Sequence, residues 1–249
     1  MFKKNPKVSV VIPFYNCMFV GEAIRSVLRQ TYKNYEIIVV DDGSTINQHL
    51  IHPYLDKVKY IQKPNGGTAS ALNKGIDTAG GDLIAWLSSD DIFLRGKLSK
   101  QVAVMEETGA DLVYSNFNHI NEQSKITRRN VGIVLDNRLD FLKQLPKSCP
   151  INGSTVLIKK DLFSTIGLFD ESLKYTQDYD MWIRMAGKAH IHMINEPLIN
   201  YRLHEKMGSK QHVEHQWKEI AMIKEKYRGM LARLIHCEEL GKGDDCDDD

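Results

Sequence analysis

Asp82-Leu83-Ile84-Ala85-Trp86-Leu87-Ser88-Ser89-Asp90-Asp91 decides how this chain is read. A hydrophobic run that empties into two adjacent carboxylates is a buried strand delivering anionic oxygens to the carboxyl edge of a sheet. Open α/β folds bind ligands at that edge, and hard divalent cations take oxygen ligands there. Carboxylates directly after a buried strand must be solvated, paired or bound to metal. A helix starting at Lys97 is too far along to explain both of them as caps. The layout suits a nucleotide diphosphate.

Working outward, strands and helices alternate. Lys7–Pro13 is a β-branched run closed by proline, and Met18–Thr31 has helical spacing through Val20, Ala23, Ile24, Val27 and Leu28. Tyr35–Val40 and Val58–Gln62 read as strands, Thr68–Thr78 as a helix behind Gly66-Gly67, and Asp82–Leu87 as the fourth strand. Continuous apolar strands separated by helices indicate a largely parallel sheet covered on both faces, a Rossmann-like α/β half. After Asp91 the rhythm loosens. Lys97–Glu107 reads as helix and Asp111–Ile120 as strand, Asn121–Gln144 gives mixed signals, and Ser154–Ile158, Asp178–Lys188 and Leu198–Leu203 read as strand, helix and strand.

A boundary near residue 120 divides a donor-type half (1–120) from a second half of the same domain (121–210) that supplies the other ligand's pocket. A terminal helix occupies 211–240. Trp217, Ile220, Tyr227, Leu231 and Leu234 form its apolar side, which reads first as packing on the domain and second as transient contact with a membrane surface. The acidic stretch Gly241–Asp249 is expected to be disordered.

The chain's 249 residues, 42% hydrophobic and 26% charged, suffice for one large core. A formal net charge of +1 argues against nucleic-acid binding, which needs a clustered basic surface. Cys17, Cys149, Cys237 and Cys246 are too scattered for a zinc cluster and too few for a disulfide framework, so reduced thiols are expected. Met1–Pro6 runs into the first strand without a signal-type segment, and no run approaches the ~18 apolar residues of a membrane span. A soluble, cytoplasmic protein is the expectation.

Four further segments carry chemistry, each beside a plainer reading. Asp41-Asp42-Gly43-Ser44-Thr45 is a good turn, yet at the end of a central parallel strand its carboxylate can accept the imide proton of a uracil ring. Asn65-Gly66-Gly67 before a helix is a capped entry or a set of unpaired backbone donors facing phosphate; it is neither a P-loop nor a dinucleotide fingerprint. In Thr176-Gln177-Asp178, either Thr176 or Asp178 serves as an N-cap, or Asp178 does chemistry. Tyr201-Arg202-Leu203-His204 ends a strand with an imidazole that can join carboxylates around a metal.

Taken in order with Val8-Ser9-Val10-Val11-Ile12-Pro13-Phe14-Tyr15-Asn16, Asn65 to Gly75, Ser89-Asp90-Asp91 and Gln177-Asp178-Tyr179-Asp180-Met181-Trp182, these segments make residues 7–205 resemble the inverting nucleotide-sugar glycosyltransferases of family 2. The resemblance implies a GT-A fold, an α/β architecture with a Rossmann-like, mixed but mostly parallel sheet flanked by helices. It implies a UDP-sugar donor held by Pro13, Tyr15, Asp41, Asp42, Gly67 and Asp90, with Asp42 on the uracil edge. Mn²⁺ or Mg²⁺ would be held by Asp90, Asp91 and His204, and Asp178 would be the catalytic base in a single inverting displacement. The acceptor would be a glycan or lipid-linked glycan of a bacterial surface polysaccharide. Two positions depart from the pattern. Ser88 stands where many members have the first acid of the DxD region, and Gln177 where many have a glutamate before the base. These departures motivate an alternative, a protein that binds nucleotide-sugar without transferring it. A phosphatase using Asp90 or Asp91 as nucleophile is weaker, because no accompanying lysine and threonine set is recognisable and Asp42 would have no role.

Overall fold

The computed structural model describes residues 4–205, 207 and 211–241. Its nine strands are β1 (Val8–Phe14), β2 (Tyr35–Asp41), β3 (Lys59–Gln62), β4 (Leu83–Trp86), β5 (Ile92–Phe93), β6 (Leu112–Ile120), β7 (Ile126–Val131), β8 (Leu157–Lys159) and β9 (Ile191–Arg202). The helices are α1 (Val20–Leu28), α2 (Thr68–Thr78), α3 (Lys97–Thr108), α4 (Arg138–Gln144), α5 (Leu162–Ile166), α6 (Gln177–Ala186) and α7 (Val213–Glu239). All strands join one sheet in the order β3-β2-β1-β4-β8-β6-β9-β5, with β7 hanging on β6. β3, β2, β1 and β4 are mutually parallel, and β6 runs parallel to β9. β8 is reversed between β4 and β6, so the strands on either side of it point the same way.

The two-residue period of the strands sorts side chains into two cores. Val8, Val10 and Ile12 of β1, Ile37 and Val39 of β2, and Leu83 and Ala85 of β4 pack with Ala23, Ile24 and Val27 of α1 and Leu98, Val102 and Met105 of α3. Val11, Ile38, Val40, Ile84 and Trp86 face the opposite layer, built from α2, α4, α6 and α7. Central strands buried on both faces are why β1, β2 and β4 read as unbroken apolar runs.

The second half shows why its sequence was ambiguous. β7 is exposed almost throughout and carries no apolar alternation, and α4 is a short helix whose start is fixed by Asn137, whose side chain accepts the Asp140 N–H at 2.9 Å. The strand expected at Ser154–Ile158 begins instead as a 3₁₀ turn, Gly153–Thr155, and only Leu157–Lys159 joins the sheet. Gly153 seats this turn on Trp86, since a Cβ there would lie 2.2 Å from a ring carbon. Gly153→Ala is therefore expected to cost ~1–3 kcal/mol by overpacking, read as a lowered melting temperature. The last strand starts at Ile191 rather than Leu198. Its register shifts around Pro197, where a bulge accommodates a residue that reads as a strand breaker.

α7 packs through Ile223, Tyr227 and Leu231, as an apolar face should. Trp217, expected on that face, is instead exposed. No helix among the described residues is long and apolar enough to cross a membrane. Cys17 and Cys149 are free thiols, but Cys237 is disulfide-bonded, which corrects the expectation of reduced thiols throughout: scattered cysteines exclude a framework, not a single bridge. The acidic stretch from 242 onward lies outside the described residues.

Candidate active site

Because β1, β2, β4, β6 and β9 point the same way, Asp41-Asp42, Asp90-Asp91 and His204 all sit at one carboxyl edge. α6 leads back to the start of β9, so its N-terminus, with Asp178, lies toward that edge as well.

At the end of β2 each carboxylate has a distinct setting. Asp41 accepts the Ser44 N–H at 2.8 Å and the Tyr60 hydroxyl, which closes the turn. Asp42 accepts from Lys63 Nζ at 2.7 Å, Gly66 N at 3.0 Å and Gly67 N at 2.7 Å. The Gly66 and Gly67 amides, which the sequence leaves open as part of a capped helix entry or as donors to phosphate, are given to Asp42. Gly67 reaches this pose with φ +90°, a backbone that favours glycine. The loop after β1 is laced to the same turn: Asn16 Oδ1 accepts the Thr45 and Ile46 N–H groups, and Tyr15 beside it is exposed. Lys63 was missed in the sequence because it lies in no recognisable motif; only its position after the third strand hinted at it.

The second cluster follows β4. Asp91 N–H donates to Ser88 O at 3.0 Å, forming a tight turn that turns Asp91 inward and leaves Asp90 partly exposed. Asp91 is buried, and both its oxygens are engaged: Oδ2 accepts Ser154 Oγ–H at 2.6 Å and Oδ1 accepts Arg202 N–H at 3.0 Å. Burial, reinforced by the neighbouring Asp90 charge, holds its carboxyl well above the usual range. Asp90 Oδ2 lies 3.0 Å from His204 Nε2. Arg202, 0% exposed, is the hub. Its Nε donates to Asp90 O at 2.8 Å, its other nitrogens reach Asn121 O, Glu122 O, Ser124 Oγ and Glu22 Oε2, and the guanidinium lies 4.1 Å over the Phe19 ring.

Asp90 and Asp91, alike in sequence, differ in setting: Asp91 is buried with both oxygens engaged, and Asp90 is partly exposed. Asp90 and His204 present a carboxylate oxygen and an imidazole nitrogen at one accessible point, a pair suited to an ion that takes its other ligands from phosphates and water. Among the described residues no group of three or more His, Cys, Asp or Glu side chains is arranged to hold a metal.

The third cluster surrounds Asp178. Thr176, not Asp178, occupies the N-cap of α6, and it makes no side-chain cap bond. Asp178 Oδ1 accepts the Tyr179 N–H at 2.8 Å. Burial nevertheless pushes its carboxyl up to about 6, against that backbone bond and with help from the Glu219 charge. One turn on, Trp182 meets Phe169 edge-on at 6.3 Å, and Phe169 meets Trp86 at 5.9 Å, so aromatic packing connects the helix of Asp178 to the strand that delivers Asp90. Sequence reading also missed Asp180, which is buried and receives Arg184, Lys226 and Tyr227. The i,i+4 spacing to Arg184 was its one local signal.

A mixed, mostly parallel sheet flanked by helices, with carboxylates at one carboxyl edge, is the architecture of the GT-A glycosyltransferases. The chain belongs to glycosyl transferase family 2, whose model matches residues 9–167. It is 39% identical over 215 residues to the uncharacterized glycosyltransferase RT0329 of Rickettsia typhi, covering 81% of this chain and 65% of that one. It is 30% identical over 219 residues to WfgD of Escherichia coli, a UDP-Glc:alpha-D-GlcNAc-diphosphoundecaprenol beta-1,3-glucosyltransferase, covering 84% of this chain and 83% of that protein. Across five Rickettsia relatives the chain spans 31% to 65% of their length. Among solved structures, Staphylococcus aureus TarS 1–349 in complex with UDP superposes with TM-score 0.66 at 20% identity, covering 88% of this chain and 64% of that one. The same protein in complex with UDP-GlcNAc gives 0.68 at 19% identity, covering 87% and 66%.

Proposed function

We propose that this family 2 glycosyltransferase transfers a sugar from a UDP-sugar to a hydroxyl of a glycan or lipid-linked glycan, with inversion, in the assembly of a bacterial surface polysaccharide. The observation that carries the reading is Asp178, a carboxylate in the first turn of α6 that accepts the Tyr179 N–H and that burial raises to about 6. Such a group is ionised at neutral pH yet basic enough to accept a proton from a hydroxyl. In the proposed reaction Asp178 takes the acceptor's proton as that oxygen attacks the anomeric carbon. The bond to the diphosphate breaks on the opposite face, and its electron pair leaves with UDP.

The same reading gives residues 1–120 to the donor and residues 121–210 to the acceptor. Pro13, Tyr15 and Asp41 border the nucleoside, Asp42 meets the uracil edge, and Gly67 holds Asp42 in place. Asp90 and His204 would hold Mn²⁺ or Mg²⁺, with Asp91 behind them as support. When bound, the cation would neutralise charge on the diphosphate. A UDP-sugar agrees with the donor named for WfgD and the ligands in the TarS complexes, and a lipid-linked acceptor with the one named for WfgD. The exposed Trp217 and Met222 on α7 suit a transient approach to the membrane holding such an acceptor.

The test begins with the donor. UDP with Mn²⁺ is expected to bind more tightly than GDP with Mn²⁺ in calorimetry, and Asp42→Ala to narrow the gap. Equal affinities in the wild type would remove the uridine assignment. Incubation with UDP-glucose or UDP-GlcNAc and a panel of glycan and lipid-diphosphate acceptors then separates transfer from binding. Tight UDP binding with no transfer across the panel would leave a nucleotide-sugar-binding protein.

A further inference from the structure

Glu219 lies on α7, outside the residues matched by the family model, and its carboxylate grips the strap that leads into α6. Oε1 accepts the Lys174 N–H at 2.8 Å, while Oε2 accepts the Tyr175 N–H at 3.1 Å and the Thr176 hydroxyl at 2.7 Å. Three consecutive residues ending at the N-cap of α6 are therefore fixed by one side chain. The Thr176 hydroxyl, which would ordinarily cap its own helix, is spent on this contact. Further along α7, Lys226 and Tyr227 bind Asp180 at 3.0 and 2.7 Å, so the same helix grips α6 on both sides of Asp178.

We propose that Glu219 is a positioning residue for Asp178, fixing the strap from which the base's helix starts and adding a like charge that acts on the base. The inference rests on Asp178 being the base. Burial acts first on the Asp178 carboxyl, and the Glu219 charge raises it in the same direction. The other titratable groups around it are arranged differently. Cys149, from the loop after α4, is a thiol that burial keeps protonated. Asp180 is matched by Arg184 and Lys226, and Tyr175 stacks on His212 with His215 beside it. Glu219 is thus the group that both orders the approach to Asp178 and acts on its ionisation.

The test needs no acceptor. In protein labelled with ¹³C at the aspartate carboxyls, the resonance absent from Asp178→Asn identifies Asp178, and its wild-type titration is expected at about 6. Glu219→Gln should move that titration downward, because a like charge has been removed. In Glu219→Ala the Lys174 and Tyr175 amides should exchange with solvent about tenfold faster or more, as expected for local opening. Glu214→Gln, an exposed change on the same helix, should alter neither. An unmoved Asp178 titration together with unchanged exchange in a folded Glu219→Gln protein would overturn the proposal. If Glu219→Ala fails to fold, Glu219→Gln, which keeps one acceptor oxygen, still decides the outcome. Failure of the underlying reading looks different: Asp178→Asn would keep transfer whatever Glu219 does.

Discussion

Asp178→Asn is expected to fold, to bind UDP with Mn²⁺ as the wild type does, and to lose sugar transfer by about 10²–10⁴-fold, the usual contribution of a general base. The substitution keeps an oxygen that can accept the Tyr179 N–H and removes only the proton acceptor. A purely structural role would predict transfer intact and stability little changed, since asparagine serves at a helix start as well as aspartate does. The pH dependence adds a second check. The carboxyl rises from 3.8 to about 6 on folding, so the wild-type rate should climb with pH through about 6 and level off above it. For stability the sign reverses. Between those values the folded protein holds a proton that the unfolded chain has released, so wild-type stability falls as pH rises through this window. Asp178→Asn lacks that penalty. It should melt at or above the wild type near neutrality, with the difference closing below pH 4. Transfer retained near the wild-type rate would take Asp178 out of the mechanism.

What the sequence reveals follows from how local each feature is. β1, β2 and β4 were legible because both faces of these strands are buried, so every position had to be apolar, and α1 and α2 because each presents one stripe to a single core. β7 was not, because an exposed strand hanging on the side of β6 needs no apolar pattern. The turn at Gly153 was read as strand because its cause, the Trp86 ring pressed against it, lies 67 residues earlier in the chain. The site divides in the same way. Asp42, Asp90, Asp178 and His204 sit in motifs and could be named. Lys63, Ser154 and Glu219 act through contacts between distant segments, and no spacing announces them. Even within the Asp90-Asp91 pair, composition is symmetric; the turn closed by Ser88 O, with Ser154 and Arg202 inside it, makes one carboxylate a support and exposes the other.

That asymmetry yields the second large effect. Asp90→Ala should melt close to the wild type, because its partly exposed side chain bonds only His204 among the described residues, and should abolish the Mn²⁺-dependent gain in UDP affinity. A loss of at least about tenfold, ~1.4 kcal/mol, is expected in calorimetry with and without chelator. Asp91→Ala should instead be felt in the fold. It leaves the Ser154 hydroxyl and the Arg202 N–H buried without their acceptor, at ~1–3 kcal/mol for each donor that finds no substitute. The raised carboxyl of Asp91 makes its own burial unfavourable, and removing it returns part of that cost, so the net loss should fall short of the full sum. Its metal-dependent affinity should weaken only as far as the turn carrying Asp90 loosens, and stabilising the fold at low temperature should restore most of it. If both variants melt like the wild type and lose the metal response equally, Asp91 is a direct ligand and the turn must open when the donor binds. If chelator leaves wild-type UDP affinity unchanged, neither carboxylate has the assigned role, and charge on the diphosphate must be met by other groups at this edge.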